Sequence, residues 1–301
     1  IDVARVKATR EPLNKVFILF GEHSRELIGP ETGLALLRAL CRPDRSKLAE
    51  EVLQETEFEL VLNGNPRSRR LVESGDFCIR TNPSGVDLNR NWDEEWQQES
   101  AVFGKDSNPG PSPFSEPETR IFKSLVSDFK PTTFLTVHSG TLGLYMPWAY
   151  DKEHLATRNQ KAMMEVLQQL DTSHCQCPFG AAGREVGYNC PGTCLDWIYD
   201  KLETPFAFAF EIYVDEERIQ ELQDRWRRAP KPSRHLATSE FFKVHPSDFI
   251  QLSGQDSGEL ERNCFAAYNP ASEERYNSTV ENWVTAYLEM AQKVSEHLRS
   301  K

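Results

Sequence analysis

At 301 residues, with 35 basic and 46 acidic side chains and a net charge of −11, the chain can bury a substantial core and is poorly suited to nonspecific nucleic-acid binding. No stretch approaches the roughly 20 apolar residues that a membrane-spanning helix requires. Seven cysteines are too few for a disulfide-built scaffold, and their odd number leaves at least one unbridged within the chain.

In chain order, residues 16–20 form a short apolar run ended by Gly21, which predicts a buried strand. His23-Ser24-Arg25-Glu26 follows at once. A helix is expected from Pro30, with Leu34, Leu37 and Leu40 on one face. Residues 58–62 predict a second strand, stopped by Asn63-Gly64-Asn65-Pro66. Ser115, three residues before Glu118, has the spacing of a capping box, and Pro117 suits a first turn. Ile121, Phe122, Leu125, Val126 and Phe129 give that helix its buried stripe, and Pro131 ends it. Residues 132–137 predict a third strand that delivers His138 at its carboxyl end. Leu155, Met163, Val166, Leu167 and Leu170 mark another amphipathic helix, and residues 205–210 a central strand that carries Glu211. Residues 214–271 are charged and weakly periodic, as in an irregular insertion. A terminal helix over 278–299 is expected from Val280, Trp283, Val284, Tyr287, Leu288, Ala291, Val294 and Leu298.

This alternation predicts an α/β fold in which one domain, residues 1–301, holds a mixed sheet between helices. Ligands of such sheets gather where strands end at their carboxyl side, and His23, His138 and Glu211 each stand there. His23 and Glu26 are spaced to reach one metal ion from a short turn, with His138 as a third ligand. Two imidazoles and a carboxylate leave zinc a fourth position for water, as catalytic sites require. Alone, His-x-x-Glu is a common pair on a helix entrance; the agreement of three strand ends is what favours a joint site.

Beyond these, Gly85-Val86-Asp87-Leu88-Asn89-Arg90-Asn91-Trp92, Ser115-Glu116-Pro117-Glu118-Thr119-Arg120, Thr136-Val137-His138-Ser139 and Phe208-Ala209-Phe210-Glu211 follow His23-Ser24-Arg25-Glu26 in order. Together they resemble the zinc metallocarboxypeptidases of the carboxypeptidase A and B type, over about residues 16–213. The resemblance implies a mixed, mostly parallel eight-stranded sheet and one zinc ion held by His23, Glu26 and His138. Asp87 would orient a ligand imidazole. Glu211 would take a proton from zinc-bound water and pass it to the leaving amine. Arg80 would stabilise the developing oxyanion, with Arg67, Arg69 and Arg70 as rivals. Asn89 and Arg90 would hold the substrate's terminal carboxylate, Tyr188 would close over it, and Arg25 would touch residues further upstream. Read without the resemblance, Asn89 is a turn residue, Arg90 a surface ion-pair partner and Tyr188 a packing residue. Glu211 is different, because a carboxylate ending a Phe/Ala strand is costly to bury without a partner.

At the positions matching the family's side-chain pocket stand Ala149, Thr193, Leu195 and Ala209, none of them charged. That implies a preference for aliphatic or aromatic C-terminal residues. The remaining histidines, His154, His174, His235, His245 and His297, read as ordinary residues. Cys175, Cys177, Cys190 and Cys194 have poor zinc-clip spacing and suit a disulfide or plain thiols; a Cys190–Cys194 bond would reshape the pocket. The start at Ile1 suggests a trimmed leader or inhibitory pro-segment, and a sequon at Asn277-Ser278-Thr279 leans towards a secreted, lumenal or vacuolar glycoprotein. Expected partners are peptide or protein C-termini. A related zinc hydrolase of acylated amino acids or wall peptides, and a catalytically inactive binding module, are the alternative readings.

Overall fold

The structure is a computed structural model and describes residues 1–98, 107–215, 217 and 257–300. Its seven strands are β1 (Val3–Lys7), β2 (Asn14–Phe20), β3 (Thr56–Val61), β4 (Thr133–His138), β5 (Thr141–Met146), β6 (Phe179–Ala181) and β7 (Phe206–Tyr213). They form one sheet in the order β1-β3-β2-β4-β7-β5-β6. The central strands β3, β2, β4 and β7 run parallel, while β1 joins β3 and β5 joins β7 antiparallel. Seven strands lie among the described residues where the resemblance implies eight. The short edge strand β1 stands ahead of the first apolar run.

Two faces are covered, and the period of two along a strand decides which residue meets which helix. Phe20 and Phe210 pack against Tyr287 and Trp283 of α9 (Glu273–Arg299), on one face. Phe17, three positions from Phe20 and therefore on the other face, meets Phe129 of α4 (Pro117–Phe129). Helices α1 (Ile28–Cys41), α2 (Lys47–Glu55) and α5 (Gln160–Leu170) lie against α9, and α7 (Cys194–Lys201) lies against β4 and β7. The short helices α3 (Pro66–Glu73) and α6 (Ala182–Val186) and α8 (Ser257–Tyr268) complete the described elements used below.

Three local expectations change. Ser115 is not the cap of α4: the helix begins after Glu116, and Asn91 takes over the end from a distant segment. Its Oδ1 accepts from the Glu116 N–H and the Thr119 hydroxyl, while its Nδ2 donates to Ser115 Oγ. The last helix starts earlier than 278, because the Ser272 side chain accepts from the Arg275 N–H and caps it there. Within the stretch expected to be irregular, residues 257–268 form α8; residues 216 and 218–256, with His235 and His245, lie outside those described.

Register is what builds the site. Phe20 stands beside Val137, Val137 beside Phe210, and His138 beside Glu211, so the carboxyl ends of β2 and β4 lie level with Phe210 and Glu211, two residues before β7 ends. The residues just past these ends are therefore brought together at the carboxyl edge of the sheet.

Candidate active site

Gly21 ends β2 with a φ of +73°, and Asn63 and Pro30 crowd the place a Cβ would occupy. The Glu26 N–H then donates to the His23 carbonyl at 3.3 Å, closing a turn that aims both side chains one way. His23 Nδ1 lies 2.8 Å from Glu26 Oε1, His138 Nδ1 lies 3.1 Å from Glu26 Oε2, and the two Nδ1 atoms are 3.1 Å apart. All three side chains are buried. Among the described residues, these three offer ligand atoms that all lie within 4.8 Å of one another. Cys175 and Cys177, which with Asp171 form the other such group, are joined in a disulfide bond.

Two imidazole nitrogens and a carboxylate at this spacing suit zinc. The far side of each ring supports the same conclusion. His23 Nε2 lies 3.1 Å from Asp87 Oδ1, and His138 Nε2 lies 2.9 Å from Thr136 Oγ1, so both Nδ1 atoms are free to face a metal. Burial works against charge on Glu26 and on His138, but their mutual attraction wins. Glu26 is held well below the usual carboxylate range by His23 and His138, and His138 is raised to about 9 by Glu26, Glu211 and Glu22.

Asp87 also accepts from Arg80 Nε at 2.9 Å, and Arg80 Nη1 comes within 3.5 Å of Glu26 Oε1. Burial opposes an ionised Asp87, yet Arg80 and His23 hold its pKa well below the usual range. Of the four candidate arginines only Arg80 enters the site. Arg69 pairs with Glu31 and Glu73, and Arg67 and Arg70 are exposed on α3.

Glu211 is half-buried within β7, which continues past the expected end at residue 210 to Tyr213, and its Oε2 has no hydrogen-bond partner. Burial raises its pKa to about 8, against the attraction of His138 and with the repulsion of Glu26. A divalent cation among these residues would oppose that rise.

Asn89 and Arg90 are buried rather than exposed on a turn. Asn89 Oδ1 accepts from the Cys194 N–H at 3.0 Å, and Arg90 Nη1 donates to the Asn89 carbonyl at 2.6 Å. Gly192 approaches here: a Cβ on it would stand 2.3 Å from the Arg90 oxygen, and its φ is +72°, so glycine is required. Tyr188 lies within electrostatic reach of Arg90, Arg80 and Glu211, and burial raises its hydroxyl's pKa. Arg25 is buried under α8. Its guanidinium sits 4.3 Å from the Tyr268 ring and donates to the Cys78 carbonyl, so it meets protein where contact with upstream substrate was expected.

Ala149, Thr193 and Leu195 are buried and Ala209 half-buried. The neighbouring acid, Asp196, accepts from the Ala149 and Tyr150 N–H groups, and Thr193 caps α7 by accepting from the Asp196 N–H. Cys190 and Cys194 remain separate thiols; the second disulfide joins Cys78 to Cys264. Two residues to which the sequence assigns no role stand close by. Tyr145 folds over Gly143, within reach of Glu211 and Tyr188. Glu22 is fully buried beside Thr136. The reasoning that singles out Glu211, an acid at the end of an apolar strand, applies equally to Glu22.

Residues 1–229 match the family model for zinc carboxypeptidases. The chain belongs to the zinc carboxypeptidase family. It is 34% identical over 164 residues to carboxypeptidase A2 of Mus musculus, covering 52% of this chain and 37% of that one. It is 27% identical over 225 residues to carboxypeptidase A5 of Macaca fascicularis, covering 65% of this chain and 48% of that one. The matches thus span about half or less of these relatives' length. Among solved structures, thrombin-activatable fibrinolysis inhibitor superposes with a TM-score of 0.71 at 19% identity, over 98% of this chain and 65% of that one. Carboxypeptidase A from Helicoverpa armigera gives 0.63 at 18%, over 96% and 65%. At such identities the likeness is one of fold.

Proposed function

We propose that this chain is a zinc-dependent carboxypeptidase that removes a neutral, aliphatic or aromatic residue from the C-terminus of peptides. The observation that carries this reading is the convergence of His23, Glu26 and His138, with Glu211 beside His138 in register. One zinc ion per chain, when bound, supplies a Lewis acid and an acidified water near neutral pH. Glu211 then accepts a proton at the carboxylate and returns it to the departing nitrogen. Arg80, oriented by Asp87, presents its guanidinium to the carbonyl oxygen as charge develops there. Arg90 and Asn89 hold the terminal carboxylate, which limits cleavage to the chain end, and Tyr188 closes over it.

Ala149, Thr193, Leu195 and Ala209 line a pocket without charge, and Asp196 beside it is occupied by backbone N–H groups. An unpaired ammonium or guanidinium entering there loses its hydration without compensation. On the upstream side, Tyr268 packs into the space over Gly140 and Ser139 donates to the Tyr268 carbonyl, which supports a restricted entrance and short substrates. The fold reads as one catalytic domain. Two disulfides favour an oxidising compartment, secreted or lumenal.

The test is release of C-terminal amino acids from a mixed peptide panel, with and without a chelator, using Glu211→Gln as control. Chelator-sensitive release of single C-terminal residues is expected. Cleavage that survives both chelation and the substitution sinks the reading.

A further inference from the structure

Glu22 follows Gly21 at the end of β2 and is completely buried. Its Oε2 accepts from the Thr136 hydroxyl at 2.8 Å, lies 3.3 Å from Cys194 Sγ, and stands 3.6 Å from His138 Nε2. Its Oε1 has no hydrogen-bond partner. A carboxylate so enclosed is costly unless it serves something.

We propose that Glu22 is a positioning residue for the metal centre, acting through Thr136 to orient the His138 imidazole and fix its tautomer. This rests on the zinc reading above and adds to it a residue outside the ligand set. A hydroxyl has one proton. Thr136 gives that proton to Glu22, which only accepts when ionised, so the Thr136 oxygen faces His138 Nε2 at 2.9 Å as an acceptor. In the neutral ring that would hold a metal, Nε2 must then carry the one proton, and Nδ1 is left with its lone pair towards Glu26 and His23. Asn89 Nδ2, 3.3 Å from Nε2, is a competing donor, and the shorter 2.9 Å contact to Thr136 Oγ1 outweighs it; Asn89 Oδ1 is engaged by the Cys194 N–H.

The two ligand imidazoles are therefore backed by carboxylates in two different ways. Asp87 touches His23 directly, whereas Glu22 reaches His138 through a hydroxyl. Such partners hold ring aim and ligand basicity, and their loss typically weakens metal binding about 10- to 100-fold. Packing alone is a poor account of Glu22. An apolar residue fills space without burying a charge, and the Cys194 thiol is too weak a donor to compensate for one.

The experiment measures zinc affinity of the metal-free protein by competition with a chromophoric chelator, and the visible spectrum of the cobalt(II)-loaded protein. Glu22→Gln and Thr136→Val should each weaken zinc binding about tenfold or more and shift the cobalt bands. Thr136→Ser should restore both, because it keeps the hydroxyl. The double variant should be little weaker than either single one, since both cut the same path. If Glu22→Gln does not fold, the contrast between Thr136→Val and Thr136→Ser decides alone. Variants that melt earlier but bind zinc within about twofold of the parent, with unshifted cobalt bands, overturn the proposal. Tight zinc binding by the parent with unaffected variants removes this proposal only. A parent protein that takes up no zinc removes the metal centre and this proposal with it.

Discussion

The Nδ1 atoms of His23 and His138 approach to 3.1 Å although 115 positions separate the two residues. Two like donors are held together only where something between them rewards it. Here Glu26 touches both rings and a divalent cation can bind all three.

Removing metal should make the protein acid-sensitive. Glu26 and Asp87 are held well below their ordinary values of 4.5 and 3.8. A depressed carboxyl contributes stability that is fully present above the unfolded pKa and is lost as pH falls towards the folded one. Unfolding free energy of the metal-free protein, followed in urea, should therefore decline below about pH 5, after rising as pH falls from about 7 to 5 because folded Glu211 and His138 hold protons that the unfolded chain lacks. Glu26→Gln should make the decline shallower, and an unchanged slope would falsify the coupling.

Glu211→Gln should reduce turnover by about 100- to 10,000-fold, the usual contribution of a positioned acid–base group, while leaving zinc content intact. The parent's activity should fall on the acid side as Glu211 is protonated. Burial places that midpoint above the ordinary 4.5, and a bound cation draws it below the value of about 8 found without metal. A pH profile of kcat/KM on a peptide ending in Phe checks this, and a midpoint at or below 4.5 contradicts it.

Arg80→Ala should lower kcat about 100- to 1,000-fold, as loss of a donor to developing charge does. The effect should fall on kcat more than on KM, which separates Arg80 from Arg90. Arg90→Ala should act chiefly on KM for peptides with a free C-terminal carboxylate. The reverse pattern would exchange their roles.

The pocket should favour Phe or Leu over Arg by at least about tenfold in kcat/KM, roughly 1.4 kcal/mol. Leu195→Asp supplies a counter-charge and should raise Arg release while lowering that of Phe. Parallel hydrolysis of peptides differing only in the last residue measures both. Equal rates for Arg and Phe in the parent protein would refute the neutral pocket.

Cys78–Cys264 closes a separation of 186 residues and ties α8 to the loop that carries Arg80. On chain entropy, losing a bridge of this span costs up to about 5 kcal/mol. Cys264→Ser should lower the melting temperature and allow longer peptides to be cleaved relative to short ones. Unchanged length preference would show that α8 does not bound the substrate.

Much of the fold is legible because burial writes a period into the chain. The runs at 16–20 and 205–210 have almost no polar interruption, and only a central parallel strand needs that. The candidate metal ligands are legible because they stand at or shortly after apolar strands. Asn91 is not legible as the cap of α4, since its reach to Glu116 and Thr119 depends on how two distant loops meet. Nor is Arg80 separable by sequence from Arg67, Arg69 and Arg70; the choice depends on Asp87 and Glu26 lying beside it.

Local patterning by itself determined which segments are strands and which chemical groups stand at their ends, because side-chain hydrophobicity and spacing act over a few residues. Tertiary structure alone decided that Glu22 lies beside His138, that Arg25 packs against Tyr268, and that Cys78 bonds Cys264 rather than Cys190 bonding Cys194. Those outcomes depend on distances between residues far apart in the chain, which only the packed sheet and its helices set.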